Sequence, residues 1–219
     1  MGKKKREKAG AEGGLAARPV GGMAIARDWP VYEALLSTGW EQPGALTTIL
    51  FARRSPTSGK IAAASFLVDL GCLGVKSAQV KLHKDVNEYN AGLRAHMLGV
   101  RPMERADPNL VAKIIFTGVN YAANLGFKPD PIFAQAELLL LATSPETCSV
   151  EVPTGSEDGK PFFVNGPYDN VDKVMAQLTR AVGVGNFHYM IQGDAAAMDL
   201  PDDVLAQFEQ EQERPRLEG

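Results

Sequence analysis

The sequence predicts an α+β domain with a largely antiparallel sheet, four to five packed helices and flexible termini. Three observations carry this. Two apolar runs, residues 45–53 and 60–70, are joined by Ser55-Pro56-Thr57-Ser58-Gly59, and such runs across a glycine-containing turn read as a β-hairpin. Two Asp-Pro pairs, Asp107-Pro108 and Asp130-Pro131, each precede apolar residues at helical spacing. The period then returns to two over 148–152 and 160–164, which reads as a second hairpin, before a last helix and strand. Hairpin, helices, hairpin, helix and strand in that order is the pattern of an α+β domain.

Residues 31–36 follow Pro30, a residue suited to a first helical turn, and stop at Gly39, so a short helix is expected there. The hairpin comes next. Its second run is apolar on both faces from Ile61 to Val68, which makes it a central strand with cover on both sides, and Ala62-Ala63-Ala64 implies a close neighbour. Gly71 and Gly74 bracket a sharp turn at Cys72-Leu73, and residues 75–83 continue as a further strand or an irregular edge. Asp85 with Glu88 forms a capping box that opens a helix over 86–97.

Asp107 as N-cap and Pro108 at the first helical position start the clearest helix. Its apolar face is Val111, Ile114, Ile115, Val119 and Ala122, and Gly126-Phe127 closes it as a Schellman motif. Asp130-Pro131 opens another helix over 132–141. Asp169 caps a helix over 170–182 that buries Val171, Val174, Met175 and Leu178. Residues 186–191 form a strand with Phe187 and Tyr189 on one side and His188 and Met190 on the other.

At 219 residues, 45% apolar and 22% charged, the chain suits one globular domain with tails. The divisions expected are a disordered basic arm over 1–27, a single domain over 28–192 and a flexible acidic tail over 193–219. Residues 1–30 carry seven Lys/Arg against three Asp/Glu, whereas residues 192–219 carry two against eight, so the charge sits in the ends. Two cysteines make no disulfide framework, which points to a reducing cytoplasm. No apolar run is long enough to span a bilayer, and the basic start is not followed by the apolar stretch of a secretory signal.

Little in the chain carries chemistry. Gly155-Ser156-Glu157-Asp158-Gly159-Lys160 is one residue short of a phosphate-binding loop, has Pro161 in place of the metal-binding hydroxyl, and leads into a strand rather than a helix. His83, His96 and His188 include no pair at i, i+4, and Cys72 and Cys148 are too far apart for a zinc motif, so no metal or cofactor is expected. The candidate catalytic set is Asp69, Cys72, Lys76 and His188. Cys72 lies in a glycine-flanked turn just past the central strand, Lys76 is placed to lower a thiol pKa, and His188 would be the base with Asp69 orienting it. The simpler account has Cys72 as a small core residue and Asp69 as a backbone cap. The loops Gly166–Asn170 and Gly185–Tyr189 bracket the last helix, and the first of them could hold an anion were Asp169 not already at the cap.

At the N-terminus, Lys3, Lys4, Lys5, Arg6 and Lys8 form a basic cluster able to touch nucleic acid phosphates. The segment from Phe66 to Lys76, FLVDLGCLGVK, together with Gly185-Asn186-Phe187-His188, resembles a group of uncharacterised bacterial proteins sharing D-x-x-C-L-G-V-K and a late G-N-F-H. The resemblance spans most of residues 29–191 and implies a shared domain, with no activity to transfer. The expected function is therefore a non-catalytic interaction module, or a protein weakly associated with nucleic acid through the arm, with the acidic tail available to a protein partner. The alternative is a small cytoplasmic hydrolase or transferase built on Cys72.

Overall fold

The computed structural model describes residues 21–191. At its centre is the expected hairpin, β2 (Leu46–Arg54) and β3 (Ile61–Asp69), paired antiparallel from Leu46↔Asp69 to Arg54↔Ile61. β4 (Gly74–His83) adds to β3 and forms one edge of the sheet. On the other side β1 (Val31–Ser37) pairs with β2, and the short β5 (Met103–Arg105) closes the order β4-β3-β2-β1-β5, antiparallel throughout. The fold is α+β, as the sequence predicts.

β3 is covered on both faces, which explains its unbroken apolar run. Ala62, Ala64, Phe66 and Val68 face the main core, shared with Val111, Ile114 and Ile115 of α4 (Pro108–Asn124) and with Phe133 and Ala136 of α5 (Phe133–Ala136). Ile61 and Ala63 face a smaller cluster beneath residues 86–100. These residues form α2 (Val86–Tyr89), a π-helical turn over Asn90–Arg94 and α3 (Ala95–Val100). The expected helix over 86–97 is thus broken in its middle. Asp85 caps it by accepting the Glu88 N–H at 2.8 Å, while Glu88 reaches back to the Lys84 N–H at 3.0 Å, one residue short of the expected box.

α4 starts and ends as its sequence dictates. Asp107 accepts the N–H groups of Asn109 (2.6 Å) and Leu110 (3.4 Å), and the Schellman bonds run from Phe127 N to Ala122 O and from Gly126 N to Ala123 O, each 2.9 Å. Asp107→Ala is expected to lower stability by about 0.5–2 kcal/mol in a denaturant titration, the usual cost of an N-cap. The middle of α4 lies directly on the start of β4. Gly74 has φ +67, and a Cβ there would stand 2.8 Å from Ala122 Cβ and 2.9 Å from Gly118 O, so only glycine lets strand and helix come this close.

Several local expectations are corrected. Residues 31–36 are strand rather than helix: β1 is buried from Glu33 through Ser37 between β2 and β5, and the slot in the sheet overrides helix-compatible Glu, Ala and Leu. Part of the stretch read as arm, Gly21–Ala26, is a short helix (α1) that puts Met23 and Ala26 in the main core. The helix expected over 132–141 shrinks to α5 and a 3-10 turn at Glu137–Leu139.

The hairpin expected from residues 148–152 and 160–164 does not form. Residues 148–152 are irregular, with the Cys148 carbonyl held by Lys113 Nζ at 2.7 Å and Val150 exposed. β6 (Phe162–Val164) pairs instead with β7 (His188–Met190), and the pairing is parallel, with α6 (Val171–Val182) between them. The two sheets meet at the β3–β4 turn, where Phe162 N donates to Gly71 O at 3.0 Å and Gly155 N to Leu70 O at 2.8 Å. A Cβ on Gly71 would collide with the Phe162 carbonyl.

Candidate functional site

The turn from Asp69 to Lys76 is where the sequence concentrates reactive groups, and its geometry follows from Asp69. This carboxylate ends β3, is 6% exposed, and its Oδ1 accepts the N–H groups of Cys72 (2.9 Å) and Leu73 (3.4 Å). It caps the turn. Burial pushes its pKa up, against the Cys72 N–H and the Lys76 charge, which hold it down.

Cys72, fully buried, turns into a core cluster of its own, with Leu73, Leu125, Phe163, Met175, Leu178 and Phe187. Burial first, then the Asp69 charge, push its thiol far above the ordinary cysteine range, and Lys76 opposes this only in part. The reverse of an activated nucleophile results.

Lys76, on β4, pairs with Asp169 Oδ2, and only 14% and 13% of the two side chains are exposed. The same carboxylate oxygen accepts the Gly166 N–H at 2.7 Å. Asp169 is therefore not the cap of α6. That role belongs to Asn170, whose Oδ1 accepts from Lys173 N at 2.9 Å. The N-terminus of α6 carries its own cap, and the acid beside it is engaged by Lys76.

His188 stands apart from the other three. It lies on β7, and its neighbours Phe187 and Tyr189 turn into the Cys72 cluster, so strand alternation points His188 the other way. Its side chain is half exposed and its Nε2 lies 2.9 Å from Asp158 Oδ2. Asp158 sits in the turn before β6 and also binds Ser156 Oγ (2.6 Å) and Lys160 N (3.2 Å). These contacts, the serine first, hold its carboxyl well below the usual range. The structure brings Asp69, Cys72 and Lys76 together and gives His188 a different partner. His188, the base expected for the thiol, is engaged by Asp158 instead.

A second polar cluster, which the sequence reading missed, lies on the outer face of the sheet. Glu33 of β1 is 3% exposed; its Oε1 accepts from Tyr89 Oη at 2.7 Å and from Arg94 Nε at 2.8 Å, while Arg105 Nη2 stands 3.7 Å from Oε2. Burial, then the bond to Glu33, raise the Tyr89 hydroxyl far above its ordinary value. The signal available beforehand was one acid inside an apolar stretch, Tyr32-Glu33-Ala34-Leu35. Its partners, more than fifty residues away, leave no local trace.

Among the described residues, no group of three or more His, Cys, Asp or Glu is gathered to hold a metal ion, and no helix is long and apolar enough to cross a membrane. Lys3, Lys4, Lys5, Arg6 and Lys8, and the acidic stretch 193–219, lie outside the described residues. No family model, curated protein or solved structure matches the chain.

Proposed function

We propose that this chain is a non-catalytic interaction protein, acting in the cytoplasm, whose domain presents its termini and associates weakly with nucleic acid through Lys3, Lys4, Lys5, Arg6 and Lys8. The observation that carries the non-catalytic part is the burial of Cys72. Its thiol is sealed among apolar side chains and its expected base, His188, is engaged by Asp158. Two unpaired cysteines fit a reducing compartment. The arm's concentration of positive charge fits phosphate contacts, and the acidic tail fits a basic protein surface.

Two measurements test the reading. Cys72 should resist alkylation across neutral pH until the chain is unfolded, while the partly exposed Cys148 reacts in the folded state. Rapid modification of Cys72 in the native chain, rising with pH through the neutral range, would restore the enzyme reading. For nucleic acid, binding to single- and double-stranded probes should fall steeply with salt and vanish when the five basic residues are changed to glutamine. Equal binding by that variant removes the arm from the function. Substitution is the right tool because deletion through residue 27 would take Met23 and Ala26 out of the core.

A further inference from the structure

The outer face of the sheet is closed by a segment held at few points. Between residues 86 and 100, only Tyr89 and Met97 are buried. The helix is interrupted by the π turn Asn90–Arg94, a rare distortion of an α-helix that is found frequently at functional sites. Gly92 and Gly99 face open space. Beneath the segment lie Leu35, Leu50, Ala52, Ile61 and Ala63, apolar residues that cluster with its own Tyr89 and Met97, with Tyr32 and Met103 packed at the side.

His83 sits at the hinge of this strap. It is the last residue of β4, is 1% exposed, and lies edge-on to the Tyr89 ring with centres 5.5 Å apart. Among the described residues neither of its ring nitrogens has a hydrogen-bond partner. Buried polar atoms without partners are rare and costly, and a neutral imidazole is the form in which this site is tolerable.

The groups facing the ring decide what a proton would do. From its own strand comes Lys81. From the strap come Tyr89 and Glu88, whose Oε1 is 3.7 Å from His83 Nδ1. Across β3 the neighbour in register is apolar Ile61, and beyond Tyr89 stand Tyr32 and Glu33 of β1. Glu88 Oε1 is already within 3.2 Å of Lys81 Nζ, and its Oε2 holds the Lys84 N–H. An imidazolium would have to share Glu88 with a lysine of its own sign, and its ring packs against Tyr89, the first anchor of the strap.

We propose that His83 is a proton-operated latch: uncharged, it lets residues 86–100 close over the outer face of the sheet, and charged, it releases that segment while β2, β3 and β4 stay folded. Burial, then the Lys81 charge, lower the pKa of His83 below that of a free histidine, with Glu88 opposing. A histidine lowered in the folded state contributes stability that is complete above its unfolded value, about 6.5, and is lost as pH falls through that value toward the folded one. The latch is therefore shut at neutral pH and yields in mild acid. It does not depend on the interaction reading above, which rests on Cys72 and the charged ends of the chain.

Hydrogen exchange on the full chain tests it, at about pH 7.5 and about pH 5.5, with intrinsic rates corrected. Amides of residues 86–100 are expected to lose protection by roughly tenfold or more in acid while those of β2 and β3 hold theirs. His83→Phe should abolish this difference, and His96→Gln, an exposed histidine on the same strap, should leave it intact. A carbon-bound proton of the His83 ring, followed by NMR in the unaltered chain, gives a readout that does not need the variant to fold. Its titration midpoint must coincide with strap opening. Equal protection at the two pH values, loss of protection across the whole sheet at once, or a His83 ring that titrates without strap opening overturns the proposal.

Discussion

Lys76→Met is expected to destabilise the fold by about 3–5 kcal/mol at neutral pH, the usual cost of removing one partner from a buried ion pair. The ammonium is bonded to Asp169, and its charge opposes the burial that raises the pKa of Asp69. Methionine keeps the length of the stem and removes only the charge, so the loss reports electrostatics rather than packing. The sign against pH follows from Asp69. Burial already raises its pKa, and without Lys76 it rises further. A carboxyl with a higher pKa folded than unfolded favours the fold increasingly as pH falls through the folded value, so the deficit of the variant should shrink on acidification. Denaturant titrations of both proteins at several pH values decide this. A loss under about 1 kcal/mol, the range of an exposed pair, would mean that water reaches the site.

The second large effect expected is that of Phe163→Ala, about 3–5 kcal/mol, since a fully buried aromatic is replaced by a cavity. Phe163 lies in the same cluster as Cys72, Met175, Leu178 and Phe187, so the void opens beside the thiol. The variant should thus show what the native chain does not: alkylation of Cys72 without denaturant, at a rate approaching that of Cys148. If Cys72 remains inert while the chain is measurably destabilised, the cluster has collapsed around the gap and the shielding does not depend on Phe163.

Elements whose signals are local were legible in the sequence. The β2–β3 hairpin announced itself by its turn and its periodicity, and α4 by Asp107, Pro108 and Gly126, because caps and turns are satisfied within a few residues of chain. The alternation of Phe187, His188 and Tyr189 likewise held. What failed was set at a distance. β1 has a helix-compatible composition, and only the slot between β2 and β5 makes it a strand. The alternation at Cys148, Val150 and Val152 suggested a partner for β6, but its partner is β7, which no local period can reveal. The candidate site divided in the same way. Asp69 as a cap on Cys72 and Leu73 was legible because all three lie within five positions. The bonds Lys76–Asp169 and His188–Asp158 were not, and these give Lys76 and His188 partners outside the set. Glu33, Tyr89 and Arg94 meet only through the sheet.

The parallel pairing of β6 with β7 also sets an order of assembly. The β2–β3–β4 meander joins neighbours in sequence through short turns, and its closure costs little chain entropy. The cluster around Cys72 draws on Leu73, Leu125, Phe163 and Phe187, so its last wall arrives only after a loop of more than a hundred residues has closed. In a chain made from its N-terminus, the central strands can form long before Phe163 and Phe187 exist. Through that interval Cys72 stands at the edge of a nearly finished sheet, uncovered. The same segment that joins last, β6 through β7, is tied to the rest through the short β3–β4 turn, one apolar cluster, the Lys76–Asp169 pair and the bond from Gln177 to the Leu125 carbonyl, so all of its anchors form late.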